Sequence, residues 1–143
     1  MAGLLTDIDE TQLKNFRAAD KALKLTPEEQ ALYRRHLENL WGSGGVDNPD
    51  GSRSSLYQAV EQGPGGQYHN IPTVWDGAIL QPGQARKKVD AVGWDKFPAY
   101  ETPEQADDRY MQMHDYMNRD TGDYFAVRGP QPLLPQGLLG RGL

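Results

Sequence analysis

Three histidines, His36, His69 and His114, are the side chains best suited to moving a proton near neutral pH. None belongs to a His-x3-His or His-Glu-x-x-His pair, so a metal site would need distant segments to converge. Each is expected to be a structural histidine, bonded within the fold. A Ser–His–acid triad is recognised by geometry, not by spacing. The chain has no Gly-x-Ser-x-Gly elbow, and Ser52, Ser54 and Ser55 read as turn and strand-entry residues. Glu61 is the carboxylate that a glycosidase reading would select. Its flank, Gln62-Gly63-Pro64-Gly65-Gly66, reads as an exposed turn, and no second carboxylate is visible to complete the required pair. Asp47-Asn48-Pro49-Asp50-Gly51-Ser52 invites a calcium loop. With Gly51 as the loop glycine, Val46 and Tyr57 fall where the first and last ligands belong, so an EF-hand fails at both ends. An Asx-type turn before a strand is the simpler reading. There is no phosphate loop and no dinucleotide fingerprint. No catalytic residue, no cofactor and no metal is expected, and the chain is not expected to be an enzyme.

Composition narrows the classes further. The chain has 143 residues, formal net charge −5, no Cys, 16 Gly and 10 Pro. The absence of Cys removes disulfides, thiolate metal sites and thiol nucleophiles. The densest basic run is Arg86-Lys87-Lys88, read as a solvated helix face, so no dedicated nucleic-acid site is expected. No apolar stretch approaches the ~20 residues that cross a bilayer, and the first residues lack the pattern of a signal peptide. Hydrophobic residues make up 37%, which leaves a small core that gains from a partner's surface.

The elements that would position these residues follow from periodicity and caps. A first helix is predicted over 7–24, with Leu13, Phe16, Ala19, Ala22 and Leu23 inward. Thr26-Pro27-Glu28-Glu29 is a capping-box start. That second helix carries Tyr33, Leu37, Leu40 and Trp41 and stops at Gly42, where a left-handed cap is expected. Residues 42–55 read as loop. Strands are predicted over Ser55–Glu61, Gln67–Trp75 and Ala78–Leu80. Pro72 interrupts the second, and Asp76-Gly77 makes a tight primed turn. A short helix, Gln84–Val92, places Ala85, Val89 and Val92 inward. Trp94, Phe97 and Tyr100 form an aromatic connector. Thr102-Pro103-Glu104-Gln105 opens a last helix with Ala106, Tyr110, Met113 and Met117 on one face. Trp75 and Tyr68 are expected to pack a small sheet against that Met-bearing helix.

The fold class is therefore α+β: an N-terminal helical pair, a small antiparallel β-sheet, a short helix, a capped C-terminal helix and an extended terminal arm. The divisions are residues 1–25 as an N-terminal helical arm, 26–125 as the small α+β domain, and 126–143 as a Pro/Gly/Leu-rich arm. The core is expected to gather Tyr33, Leu37, Leu40, Trp41, Leu56, Ile71, Val74, Val89, Phe97, Tyr110 and Met113. In the arm, Leu133, Leu134, Leu138 and Leu139 cannot bury themselves within so short and Pro-interrupted a segment. With Arg128 and Arg141 they are the expected partner-binding residues.

Gly44–Ser52, Tyr68–Val74, Gly77, Phe97–Tyr100 and Thr102–Met117 together resemble a small domain that recurs in virion proteins of tailed bacteriophages. The resemblance spans roughly residues 28–124 and rests on Gly-Gly-Val-Asp-Asn-Pro-Asp-Gly-Ser, Tyr-x-Asn-Ile-Pro-Thr-Val and Phe-Pro-x-Tyr. It implies a structural protein of the virion, assembled in the bacterial host cytoplasm. It would act through protein–protein contacts in the head–tail, tail or DNA-ejection apparatus. The implied partners are portal, tail or ejection proteins, with a homo-oligomer in a symmetric assembly. Some larger relatives carry lytic domains beside this segment, and that activity does not carry over. Two alternatives stand beside this reading: an enzyme accessory or weak peptidoglycan-active module aiding cell-wall passage, and a host-interacting protein absent from the particle.

Overall fold

The computed structural model describes residues 10–128, and its architecture is α+β. Helix α1 runs Lys14–Leu23, starting later than the spacing suggested because Leu13 offers no side-chain cap. It ends where Lys24 turns left-handed (φ 53°) and bonds Asp20 O. Helix α2 runs Pro27–Trp41. Its capping box is complete: Glu29 N donates to Thr26 Oγ1 at 3.2 Å, and Thr26 N donates to Glu29 Oε1 at 3.0 Å. Such a cap contributes about 1 kcal/mol. Gly42 does end α2, but in extended conformation (φ −108°) and not as a left-handed cap. Glycine is needed there for space, since a Cβ would lie 2.6 Å from Glu38 O.

The segment expected as plain loop holds a small hairpin, β1 Val46–Asp47 against β2 Arg53–Ser54. Its tip uses the turn chemistry of Asn and Asp. Asp50 Oδ1 accepts from Ser52 N and Oγ, Asn48 Nδ2 donates to Ser52 and Ser54, and Gly51 takes φ 92°. Strands β3 Ala59–Gln62, β4 Tyr68–Ile71 and β7 Ala99–Tyr100 form an antiparallel sheet in the order β3-β4-β7. Pro72 ends β4, and the chain resumes as β5 Val74–Trp75 paired with β6 Ala78–Ile79. Asp76 (φ 53°) and Gly77 (φ 79°) make the primed turn between them.

Helix α3 spans Pro82–Val92, beginning two residues before the expected start because Pro82 takes the first position and Gln84 Oε1 caps Gln81 N. Ala85 and Val89 are buried, whereas Val92 faces outward. Helix α4 spans Pro103–Arg128 and packs on α1, α2, β3, β4 and β7. It corrects the expected start of the arm: Ala126, Val127 and Arg128 are its last turn. The helix runs through Gly122, and no further Gly or Pro precedes the Gly-Pro at 129–130.

Two apolar clusters result. One joins Phe16, Ala19, Leu25, Leu32, Tyr33, Leu37, Leu56, Met113 and Met117, so α1 is a working part of the core. The other joins Ile71, Trp75, Ala85, Val89 and Phe97. Trp41 and Tyr110, expected in the core, are only partly buried. Trp75 packs beside Phe97 in the α3 cluster, with Arg35 over its ring, and not against the methionines of α4.

Candidate functional site

The first cluster encloses a chain of polar side chains drawn from three helices and one loop. On α2, Tyr33 and His36 lie one turn apart and point the same way, their rings edge-to-face at 5.5 Å. From α4, Asp120 (2% exposed) accepts Tyr33 Oη at 2.6 Å on Oδ2 and Asn15 Nδ2 at 2.9 Å on Oδ1. His36 Nε2 is 3.1 Å from Asp120 Oδ2, and His36 Nδ1 is 2.5 Å from Ser55 Oγ. Burial, then the adjacent Asp120 charge, push the Tyr33 hydroxyl pKa far up, so it stays a donor. An ionised carboxylate only accepts hydrogen bonds. In the neutral ring a proton on Nε2 faces Asp120, and Nδ1 is then the acceptor for the Ser55 hydroxyl. Ser55 is fixed in turn by Asn39 Nδ2, which donates to its carbonyl at 2.8 Å.

This chain opens onto a cavity of about 260 Å³ between the 52–58 segment and α4, walled by His36, Ser55, Gln58, Tyr110 and His114 among others. Gln58 lines this cavity, while its carboxamide Nε2 and Oε1 are buried behind the wall without a hydrogen-bond partner in the protein. A buried amide without partners costs about 1–3 kcal/mol. Beside it, Tyr57 holds a left-handed backbone (φ 45°) and is 66% exposed at the rim. Thr73 Oγ1, donating to Tyr57 O at 2.6 Å, helps hold that conformation. Strained backbone of this kind collects at sites where a side chain must be aimed.

A second buried carboxylate lies at the far end of α2. Glu29, 1% exposed, accepts Arg109 Nε at 2.8 Å and Nη2 at 3.0 Å, Tyr100 Oη at 2.6 Å and its capping bond from Thr26 N. Burial is the largest influence on Glu29 and would raise its pKa. The bonds from Arg109, Tyr100 and Thr26 outweigh burial, and the group ends below the ordinary carboxylate value. Burial and the Glu29 bond raise the Tyr100 hydroxyl. Arg109 also donates to Leu23 O at 2.6 Å. This set ties α1, α2, β7 and α4 together.

The other candidates have quieter settings. His69 Nδ1 lies 3.2 Å from Phe97 O, with its ring edge-on to Trp94. His114 lies against Tyr110 on α4. Glu61 is on β3 and takes an ion pair from Arg86 at 3.2 Å; Arg86 also bonds Gln62 O and covers the Trp94 ring. Lys87 and Lys88 are exposed. Among the described residues, no group of three or more His, Asp or Glu side chains could hold a metal ion, and no helix is long and apolar enough to cross a membrane.

Of the expected partner-binding residues, Arg128 is exposed on the last turn of α4, its guanidinium 5.0 Å from the Tyr124 ring centre. Leu133, Leu134, Leu138, Leu139 and Arg141 lie outside the described residues. The grouping of Ser55, His36 and Asp120 was not read from the sequence, because the three stand 19 and 84 positions apart on separate elements. Gln58 gave no signal either. No family model, no curated protein and no solved structure matches the chain.

Proposed function

We propose that this protein is a structural component of a tailed-bacteriophage virion, acting through protein–protein contacts in the head–tail, tail or DNA-ejection apparatus. The observation that carries the reading is the resemblance across residues 28–124. Its segments become working parts of the frame. Gly44–Ser52 forms the β1–β2 turn, where Arg53 donates to Asn39 O, Leu40 O and Gly42 O and so straps the hairpin to the end of α2. Tyr68–Val74 supplies the central strand, in which Asn70 Nδ2 donates to Ala106 O at 2.9 Å and holds α4 on the sheet. Pro98 O accepts from Asn70 N, joining the aromatic connector to the same strand.

The Leu-rich terminal segment, with Leu133, Leu134, Leu138 and Leu139, is expected to seek a groove on a neighbouring subunit. In this reading the chain is a homo-oligomer within a symmetric assembly. The test is mass spectrometry of purified, salt-washed particles, in which the protein should occur at a fixed ratio to the major structural proteins. Presence in infected cells with absence from particles would favour the host-interacting alternative. A peptidoglycan zymogram with the purified chain tests the accessory role in cell-wall passage.

A further inference from the structure

The polar chain Asp120–His36–Ser55 ends on an alcohol, and that alcohol stands at the wall of a cavity. We propose that Ser55 is a base-activated nucleophile and that the cavity is an acyl site, taking a small ester, thioester or other activated acyl group. This goes beyond the contact role and stands independently of it.

Three observations converge. The first is the orientation of His36. With its proton on Nε2 towards Asp120, the ring offers the Nδ1 lone pair to Ser55 Oγ at 2.5 Å. Either ring nitrogen can act as the base once the other holds the proton. Asp120 is a positioning residue, and it is itself clamped by Tyr33 and Asn15. The base and its orienter are thus fixed before any substrate arrives. The second is Gln58. The residue lines the same cavity, and its carboxamide, buried just behind that wall, has no partner within the protein. A rotation of that side chain about its own torsions would aim the free N–H₂ at a developing oxyanion in the cavity. The third is the space: about 260 Å³ beside the hydroxyl admits a small acyl group.

The reaction balances without a cofactor. Ser55 Oγ bonds to the acyl carbon while its proton passes to His36 Nδ1, and the imidazolium is stabilised by Asp120. The carbonyl oxygen carries the negative charge, with the Gln58 amide turned towards it. As the carbonyl re-forms, the bond to the leaving group breaks, and that group takes the proton from Nδ1. Ser55 is left as an ester. Water then attacks by the same path, releasing the acid and restoring the hydroxyl.

The test uses the purified full chain with a fluorophosphonate probe, followed by p-nitrophenyl acetate, read by intact mass and peptide mapping. The expected result is one adduct, on Ser55, in the folded protein only. It should be absent from Ser55→Ala and from His36→Gln that retains its helical circular dichroism. Gln58→Ala provides the control that does not depend on folding, because Gln58 makes no bond that the fold would lose. It should unfold no earlier than the wild type and label about 100-fold more slowly. No adduct, an adduct elsewhere, or a Ser55 adduct formed equally fast by Gln58→Ala or by heat-denatured protein would overturn the proposal.

Discussion

The two buried carboxylates, Glu29 and Asp120, solve the same problem with different ends in view. Both are nearly inaccessible to water, and both gather donors from several elements. Glu29 is matched by a guanidinium held in two-point contact, so charge meets charge, and the ring of bonds closes on α1, α2, β7 and α4. Asp120 is matched by a phenol, an amide and an imidazole, with no guanidinium or ammonium bonded to it. Its chain of bonds continues outward through His36 to a hydroxyl at a cavity. A closed ion pair fixes geometry, whereas an open chain fixes geometry and also delivers a polarised atom to a surface. The difference marks the Glu29 set as the fastener and the Asp120 set as the site.

Stability should separate the two. Glu29→Ala leaves Arg109 facing a void, with its carboxylate partner and two of its five hydrogen bonds gone. The cost should be about 3 kcal/mol, at the lower end for a broken buried pair because Arg109 keeps some exposure. Urea unfolding followed by circular dichroism measures it, and a change below about 1 kcal/mol would erase the distinction drawn here.

The same carboxylate should be felt in acid. Glu29 is held below its ordinary value of 4.5. Its contribution is therefore fully present above about pH 4.5 and is lost as pH falls through the lower folded value. Wild-type stability should drop across that window, and the drop should be shallower in Glu29→Ala when unfolding midpoints are compared at pH 6 and pH 3.

On the Asp120 side the effects should be smaller. Tyr33→Phe removes one donor from a buried carboxylate that retains two others, and about 2 kcal/mol is expected. Ser55→Ala removes a partly exposed end of the chain, and about 1 kcal/mol is expected. The order Glu29→Ala, Tyr33→Phe, Ser55→Ala is what denaturation midpoints should return. Ser55→Ala costing more than Tyr33→Phe would recast Ser55 as a fastener as well.

Much of the Glu29 region was legible in the sequence, because it begins with a local signal. Thr26 and Glu29 stand at capping-box spacing, and Thr102 repeats the logic for α4. Arg109 and Tyr100 joined Glu29 only through tertiary packing, which no local spacing encodes. Asp76-Gly77 and Pro72 acted as their backbone constraints require. Gly42 did not, because steric room at the Glu38 carbonyl mattered there more than dihedral freedom. Val92 lies on the helical stripe yet faces out, since α3 covers the sheet with Ala85 and Val89 alone. The Asp120 site was invisible for a physical reason. Ser55, His36 and Asp120 each have an ordinary local role, in a loop, on a helix face and late in a long helix. Only the packing of α4 across α2 brings them together.

The contact role itself is tested most directly by particle composition. α4 runs through Arg128, so a chain ending at Arg128 keeps every described element while losing Leu133, Leu134, Leu138, Leu139 and Arg141. In a phage lacking its own copy, complemented with either form, purified particles are counted by quantitative mass spectrometry. The full chain is expected at a fixed copy number and the shortened chain is expected to be missing, although both unfold at the same midpoint in solution. Particles carrying the shortened chain at full occupancy, or particles holding neither form, would contradict the account.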